Sequence, residues 1–291
     1  MPELSVLLAV HDGARFGQAA VESVLRQSFL DLELIVVDDA STDETQSMLA
    51  QIADRRVRVL RNDEQLGLAA SLNRGLEHAQ GRFVARLDAD DVALPTRLER
   101  QLEAARATGL AALGTAIRDL DADGREGRLH RMPLGTRAVR WHALFSSPFF
   151  HPTVLVDREA LGDLRYDSWF LESEDYDLWT RLLATGVDGG NLPEPLVLKR
   201  VHAGQASLRR GDLQRSFQRR IALREIKRVA PDIDADAAWS FAVGRSRNAA
   251  ADRALLATFE AKHGVDPEVR RAAARRLARA GRLVSALKVS R

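Results

Sequence analysis

The sequence predicts an α/β fold with a mainly parallel, Rossmann-like sheet, helices on both faces and a helical C-terminal appendage. Four short β-rich runs carry this: Leu4–Val10, Leu32–Val37, Val57–Leu60 and Phe83–Leu87 begin 28, 25 and 26 residues apart, with amphipathic helical patterns between them. That pitch leaves room for the crossover helix that parallel strands need. Each run also ends in polar residues, which a parallel sheet gathers on one rim, where ligands of such folds bind.

Leu4–Val10 ends at His11-Asp12-Gly13, and Phe16, Ala20 and Val24 follow at helical spacing. Leu32–Val37 ends in Asp38-Asp39-Ala40-Ser41, with Ser41 or Thr42 placed to cap a helix over Thr45–Ile52. Val57–Leu60 ends in Arg61-Asn62-Asp63, which reads as a solvated turn, and Leu68, Leu72 and Leu76 predict the third helix. Phe83–Leu87 ends in Asp88-Ala89-Asp90-Asp91, and Pro95 suits the first turn of a helix through Leu98 and Leu102. Asp121-Ala122-Asp123-Gly124 predicts a turn between two strands. A helix over Asp175–Thr185 and a strand over Leu196–Val201 follow. Beyond Leu208 the pattern is helical and Arg-rich, with breaks at Pro231, Gly264 and Pro267.

The formal charge of +2 conceals two unlike halves. Residues 1–208 hold 23 Lys+Arg against 32 Asp+Glu, and residues 209–291 hold 20 against 9. This division predicts a domain over 1–208 and a basic helical region over 209–291. The absence of cysteine excludes disulfides, thiolate metal sites and cysteine nucleophiles. No apolar stretch approaches the roughly 18 residues of a membrane span, and the first residues lack a signal peptide's basic and apolar regions. A cytoplasmic protein is expected, with any membrane contact peripheral and at the inner face.

Asp88-Ala89-Asp90-Asp91 sits at a strand-to-helix junction, where paired carboxylates can face a hard divalent cation. In Asp38-Asp39, one carboxylate must face the crevice, where it could accept hydrogen bonds from a base or ribose. Glu172-Ser173-Glu174-Asp175-Tyr176-Asp177 places four acids before a helix, suited either to the helix dipole or to removing a proton from a hydroxyl. Tyr176 and Trp179 there offer flat surface on which a sugar could stack. His202 ends the last strand, and His151-Pro152-Thr153 reads as loop-ordering. No glycine-rich phosphate loop follows the first strand, so a diphosphate would need a metal ion to neutralise it.

Taken together, the segments Ser5–Gly13, Leu34–Thr45, Asn62–Gly75, Gly81–Leu98, His151–Val154, Glu174–Leu182 and Arg200–Ser207 resemble the family 2 inverting glycosyltransferases of the GT-A fold, which build bacterial surface polysaccharides. The resemblance implies a metal-dependent transfer from a nucleotide-diphospho-sugar to an acceptor hydroxyl. Val10 and His11 would line the nucleotide pocket, Asp39 would bond the base, Gly67 would lie beneath the nucleotide, and Asp88 would contact the ribose or sugar. Asp90 and His202 would hold Mg²⁺ or Mn²⁺, Asp175 would be the catalytic base, and Glu174 and Trp179 would face the acceptor. A UDP-sugar is the favoured donor, and a glycan or lipid-linked molecule the acceptor. The first strand ends Ala9-Val10-His11-Asp12 where the family has Pro-x-Tyr-Asn, and no Q-x-x-R-W element follows Asp175, which implies non-processive addition.

Two other functions compete. A sugar nucleotidyltransferase would open with a basic Gly-rich loop, unlike His11-Asp12-Gly13-Ala14-Arg15; a non-catalytic nucleotide-sugar binder would keep Asp39 but lose the base or the metal ligand. The basic tail predicts either packing on the catalytic domain with a solvated arginine face, or attraction to an anionic membrane surface, or a homo-oligomer contact. It lacks the aromatic interleaving and motifs of nucleic-acid binding, so no nucleic-acid partner is expected.

Overall fold

The computed structural model describes residues 1–202, 211–246 and 248–289, the side chains of 279–289 excepted. The expected boundary between 208 and 209 lies outside the described residues, as does Ser207. Among the described residues nine strands form one sheet: β1 (Leu4–Val10), β2 (Leu32–Asp38), β3 (Val57–Arg61), β4 (Phe83–Arg86), β5 (Val92–Ala93), β6 (Ala112–Leu120), β7 (Glu126–His130), β8 (Leu155–Asp157) and β9 (Gly189–Arg200). Their order is β3-β2-β1-β4-β8-β6-β9-β5, with β7 on β6. The pairs β1–β2, β2–β3, β1–β4 and β6–β9 are parallel. The short strand β8 lies antiparallel to both β4 and β6 and joins the two parallel groups.

The four predicted strands and the helices between them form within a residue or two of their expected ends, because apolar alternation and polar punctuation agree there. α1 (Ala14–Leu25), α2 (Thr45–Ala50), α3 (Leu68–His78) and α4 (Arg97–Thr108) divide between the two faces. Val6, Leu8, Leu34 and Val36 pack with Val21, Leu49, Leu98 and Leu102 on one face. Leu7, Ile35 and Val37 pack with Leu72, Leu76, Leu178 and Leu182 on the other. The strand expected over Leu196–Val201 is longer, since Gly189–Leu192 already pairs with Ala112–Thr115. This region also holds α5 (Thr136–His142), α6 (Arg158–Leu161) and α7 (Glu174–Ala184).

The appendage contains α8 (Gly211–Val229), α9 (Ala235–Ala242), α10 (Ala250–His263) and α11 (Pro267–Val289). Pro267 opens α11, as a residue without an amide hydrogen can at a first helical turn. The structure adds a break between α9 and α10, at Gly244 with φ of 78°, to those the sequence predicts. The apolar stripe of these helices is buried: Ala222, Ile226, Trp239, Phe259, Val269 and Ala273 form one cluster with Ala138, Trp141 and Leu144 at α5. Many of its cations are used internally, so the solvated arginine face expected from the sequence is partly consumed. Arg224 Nη1 lies 2.6 Å from Asp177 Oδ1, and Arg219, Arg228, Arg270 and Arg276 pair with Asp236, Glu225, Glu260 and Asp252.

Candidate active site

The C-terminal ends of β1, β2 and β4 converge on one rim, and loop hydrogen bonds fix their order. Asp12 N donates to Ser41 Oγ at 3.0 Å, and Thr42 N donates to Asp12 Oδ1 at 2.8 Å, so Ser41 ties two loops together instead of capping α2. His11 Nδ1 lies 2.8 Å from Asp39 O, which orients a ring that remains partly exposed. Val10 beside it is buried.

Asp39 is buried, and its carboxylate organises the loop before α3. It accepts from Asn62 Nδ2 at 2.6 Å, Leu66 N at 2.9 Å and Gly67 N at 2.8 Å. Burial alone would raise its pKa, but these donors outweigh that and hold it below the usual carboxylate value. Gly67 stands at the start of α3 with φ of 88°, a conformation that side chains with a Cβ resist. Arg61-Asn62-Asp63 is therefore more than a solvated turn, since Asn62 is buried and bonds Asp39 and Ser71.

At the end of β4, oxygens of Asp88, Asp90 and Asp91 lie within 4.8 Å of one another. His202 Nε2 stands 3.0 Å from Asp90 Oδ2, brought there by the end of β9. The cluster is balanced unevenly. Burial works against the Asp88 carboxylate, yet the paired Arg86 guanidinium holds its pKa below the usual value. Burial and Asp88 together push Asp90 up against the pull of His202. Burial, Asp88 and Asp90 push Asp91 well up, and its Oδ2 is buried without a partner among the described residues. Two half-buried carboxylates and one buried carboxylate, gathered beside an imidazole, suit a hard divalent cation such as Mg²⁺ or Mn²⁺.

α7 starts at Glu174 and carries Asp175 into the same cleft, which measures about 360 Å³ and is also lined by Arg86, Asp88, Asp90, Ser147, His151, Glu172 and Lys199. Asp175 Oδ2 accepts from Ser147 Oγ at 3.1 Å. Burial raises the Asp175 pKa against that bond, and raises Glu174 to about 7 with Asp175 adding to the push. His151 Nε2 lies 3.0 Å from Tyr166 Oη and orders the loop opposite.

Trp179 and Tyr176 correct the expectation of a stacking surface. They are 2% and 1% exposed, because α7 turns both rings inward at helical spacing: Trp179 meets Phe149, His151 and Tyr166, and Tyr176 Oη donates to Ala143 O. The exposed aromatic nearby is Trp169. Sequence reasoning also missed Arg86, Ser147 and Lys199, and gave Asp91 no role of its own within the acidic run. Asp91 was legible as the third acid of its run; Arg86, Ser147 and Lys199 carried no local pattern. Lys199 has no hydrogen-bond or ion-pair partner among the described residues, though it lies near enough to Asp88, Asp91 and Asp175 to lower their pKa values.

A model of the family described as Glycosyl transferase family 2 matches residues 5–165. The amylovoran biosynthesis glycosyltransferase AmsE of Erwinia amylovora is 31% identical over 200 residues, 67% of this chain and 74% of the relative. Among solved structures, S. aureus TarS 1–349 in complex with UDP is similar in fold, with TM-score 0.64 and 17% identity over 99% of this chain and 92% of that one. The mannosyltransferase PcManGT of Pyrobaculum calidifontis, in complex with GDP-Man and Mn²⁺, gives TM-score 0.61 and 18% identity over 94% of this chain and 79% of that one. The fold these two share with the chain is the GT-A fold.

Proposed function

This chain belongs to glycosyl transferase family 2, and from that membership we propose that it moves a sugar from a nucleotide-diphospho-sugar to an acceptor hydroxyl, with inversion and one addition at a time. One observation carries the reading: Asp88, Asp90 and Asp175 line a single cleft, with Asp91 clustered behind the first two, His202 bonded to Asp90, and the Asp175 pKa raised. Polysaccharide biosynthesis is the favoured context, and the relative AmsE is named for amylovoran biosynthesis. The bound nucleotides of the two structural neighbours support UDP- and GDP-sugars as donors to test, and the Mn²⁺ of one supports a metal.

Asp90 and His202, with Asp91 behind them, would hold the cation. When bound, it supplies charge neutralisation at a leaving diphosphate. Asp175 removes the acceptor proton at its carboxylate oxygen, with the raised pKa making it a stronger base and Ser147 fixing its rotamer. Asp88, held ionised by Arg86, presents acceptor oxygens to ribose or sugar hydroxyls. Lys199, whose ammonium has no partner among the described residues, would offer a cation to the departing charge. Val10, His11 and Asp39 with its loop form the nucleotide end. No helix among the described residues is long and apolar enough to cross a membrane, and the basic appendage supports peripheral attachment at the inner face of the cell membrane.

The test is a panel of UDP-, GDP- and dTDP-sugars with Mn²⁺. Release of a nucleoside diphosphate dependent on an added glycan or lipid-linked acceptor is expected. Binding without release would favour a nucleotide-sugar binder, and pyrophosphate chemistry with a nucleoside triphosphate would favour a nucleotidyltransferase.

A further inference from the structure

The loop before Asp175 carries an apolar surface that the chemistry of the cleft leaves unused. Trp169, Leu171 and Leu213 are 49%, 47% and 40% exposed. Trp169 stands edge-on to Phe170 and Phe217, with ring centroids at 4.8 and 4.9 Å, so its position is set in advance. The Arg220 guanidinium lies 4.5 Å from the Trp169 ring centroid and has no carboxylate partner among the described residues. The two segments meet at the lip of the cleft: Gln214 Nε2 donates to Glu172 O at 2.9 Å, and both residues line the cleft with Asp175. Leu171 and Leu213 each immediately precede one of that pair. Exposed apolar groups from two separate elements thus stand beside the mouth on the base's side.

Isolated surface hydrophobics are ordinary, whereas a set gathered at a functional mouth marks a contact. Charge points to what covers it. Of the six Arg/Lys of α8, Arg215, Arg219, Arg224 and Arg228 pair with carboxylates and Lys227 bonds backbone carbonyls, which leaves Arg220, at the Trp169 ring, as the cation with no oxygen partner among the described residues. A sugar stacked on Trp169 would compete with the guanidinium for the ring, and neighbouring leucines offer its hydroxyls nothing. A tryptophan with leucines beside it and a cation over its ring is the composition of a membrane-interface contact: the apolar groups enter the headgroup boundary and the guanidinium meets lipid phosphate.

We propose that Trp169, Leu171 and Leu213, with Arg220, seat the protein on an anionic membrane surface so that the cleft opens toward an acceptor carried in the bilayer. This rests on the glycosyltransferase reading only in giving the cleft an acceptor. It relocates the contact from the arginine-rich tail at large, where several cations are internally paired, to one lip of the site.

The full chain is sedimented with phosphatidylcholine vesicles, with and without phosphatidylglycerol, while stabilisation by UDP and Mn²⁺ is followed separately by thermal shift. Wild type is expected to bind only the anionic vesicles and to release as salt rises. Trp169→Ala with Leu171→Ser should weaken that binding by about tenfold or more, and Leu213→Ser alone by severalfold, both with unchanged UDP stabilisation. Wild-type-like sedimentation of both variants would overturn the proposal, as would wild type binding no vesicle. So would loss of binding on Arg271→Gln with Arg275→Gln while the Trp169 variant still binds, which moves the contact to α11. Absence of nucleotide stabilisation in wild type would instead sink the donor reading and leave the vesicle result standing.

Discussion

The His202 imidazole reaches Asp90 across 112 residues of chain, with Nε2 3.0 Å from Oδ2. It does so because β9 ends beside the loop after β4, where Arg200 N also donates to Asp91 Oδ1 at 2.8 Å. Replacing Asp90 by Ala, or His202 by Ala, should lower metal-dependent donor affinity by about tenfold to a hundredfold. Calorimetric titration of UDP with Mn²⁺ and with EDTA checks this: the wild-type values should differ between the two, and the variants' values should converge on the EDTA value.

Asp175→Asn keeps the shape of the side chain and removes its basicity. Turnover should fall by about a hundredfold or more, within the range of general-base loss, while donor affinity changes little. Equal losses in donor affinity and turnover would mean that the residue binds the donor rather than acting as base.

Glu174 gives a pH signature. Its pKa rises from 4.5 to about 7 on folding, so the folded protein holds that proton more tightly than the unfolded chain. The resulting stability is fully present below pH 4.5 and is lost as pH rises through about 7, on the order of 3 kcal/mol in all. Glu174→Gln should remove that part of the pH dependence and be the more stable protein above pH 7, read by urea denaturation across the pH range.

Trp179→Phe separates a core role from an acceptor role. With the indole enclosed by Phe149, His151 and Tyr166, shrinking it should cost about 1 to 3 kcal/mol of stability. The acceptor KM of the folded fraction should stay near wild type. A selective rise in acceptor KM at unchanged stability would contradict the buried placement.

Arg224 links the appendage to the helix that carries the base, bonding Asp177 Oδ1 at 2.6 Å and Thr180 Oγ1 at 2.8 Å. Arg224→Met should cost about 2 kcal/mol, the scale of a hydrogen bond to a charged group. Hydrogen exchange should show weakened protection in both α7 and α8, the result expected if the two elements open together.

The sequence by itself determined the first four strands, their parallel arrangement and their helices, and the acids at the strand ends. Each depends on local periodicity and punctuation, and Leu4–Val10 and Asp88-Ala89-Asp90-Asp91 carry both within a few residues. It also marked Asp175 and His202, through a resemblance spread over many short segments. Only the tertiary structure decided which groups face the cleft. Arg86, Ser147 and Lys199 lie on two strands and a loop and meet only through packing, so no spacing announces them. Trp179 and Trp169 show the same limit in reverse: both precede or follow the acids closely, yet helix phase buries one and the loop exposes the other. The charge split near Leu208 was plain in composition, but the pairing of Arg224 with Asp177 was not, because an ion pair depends on where the two helices dock and not on the number of charges each carries.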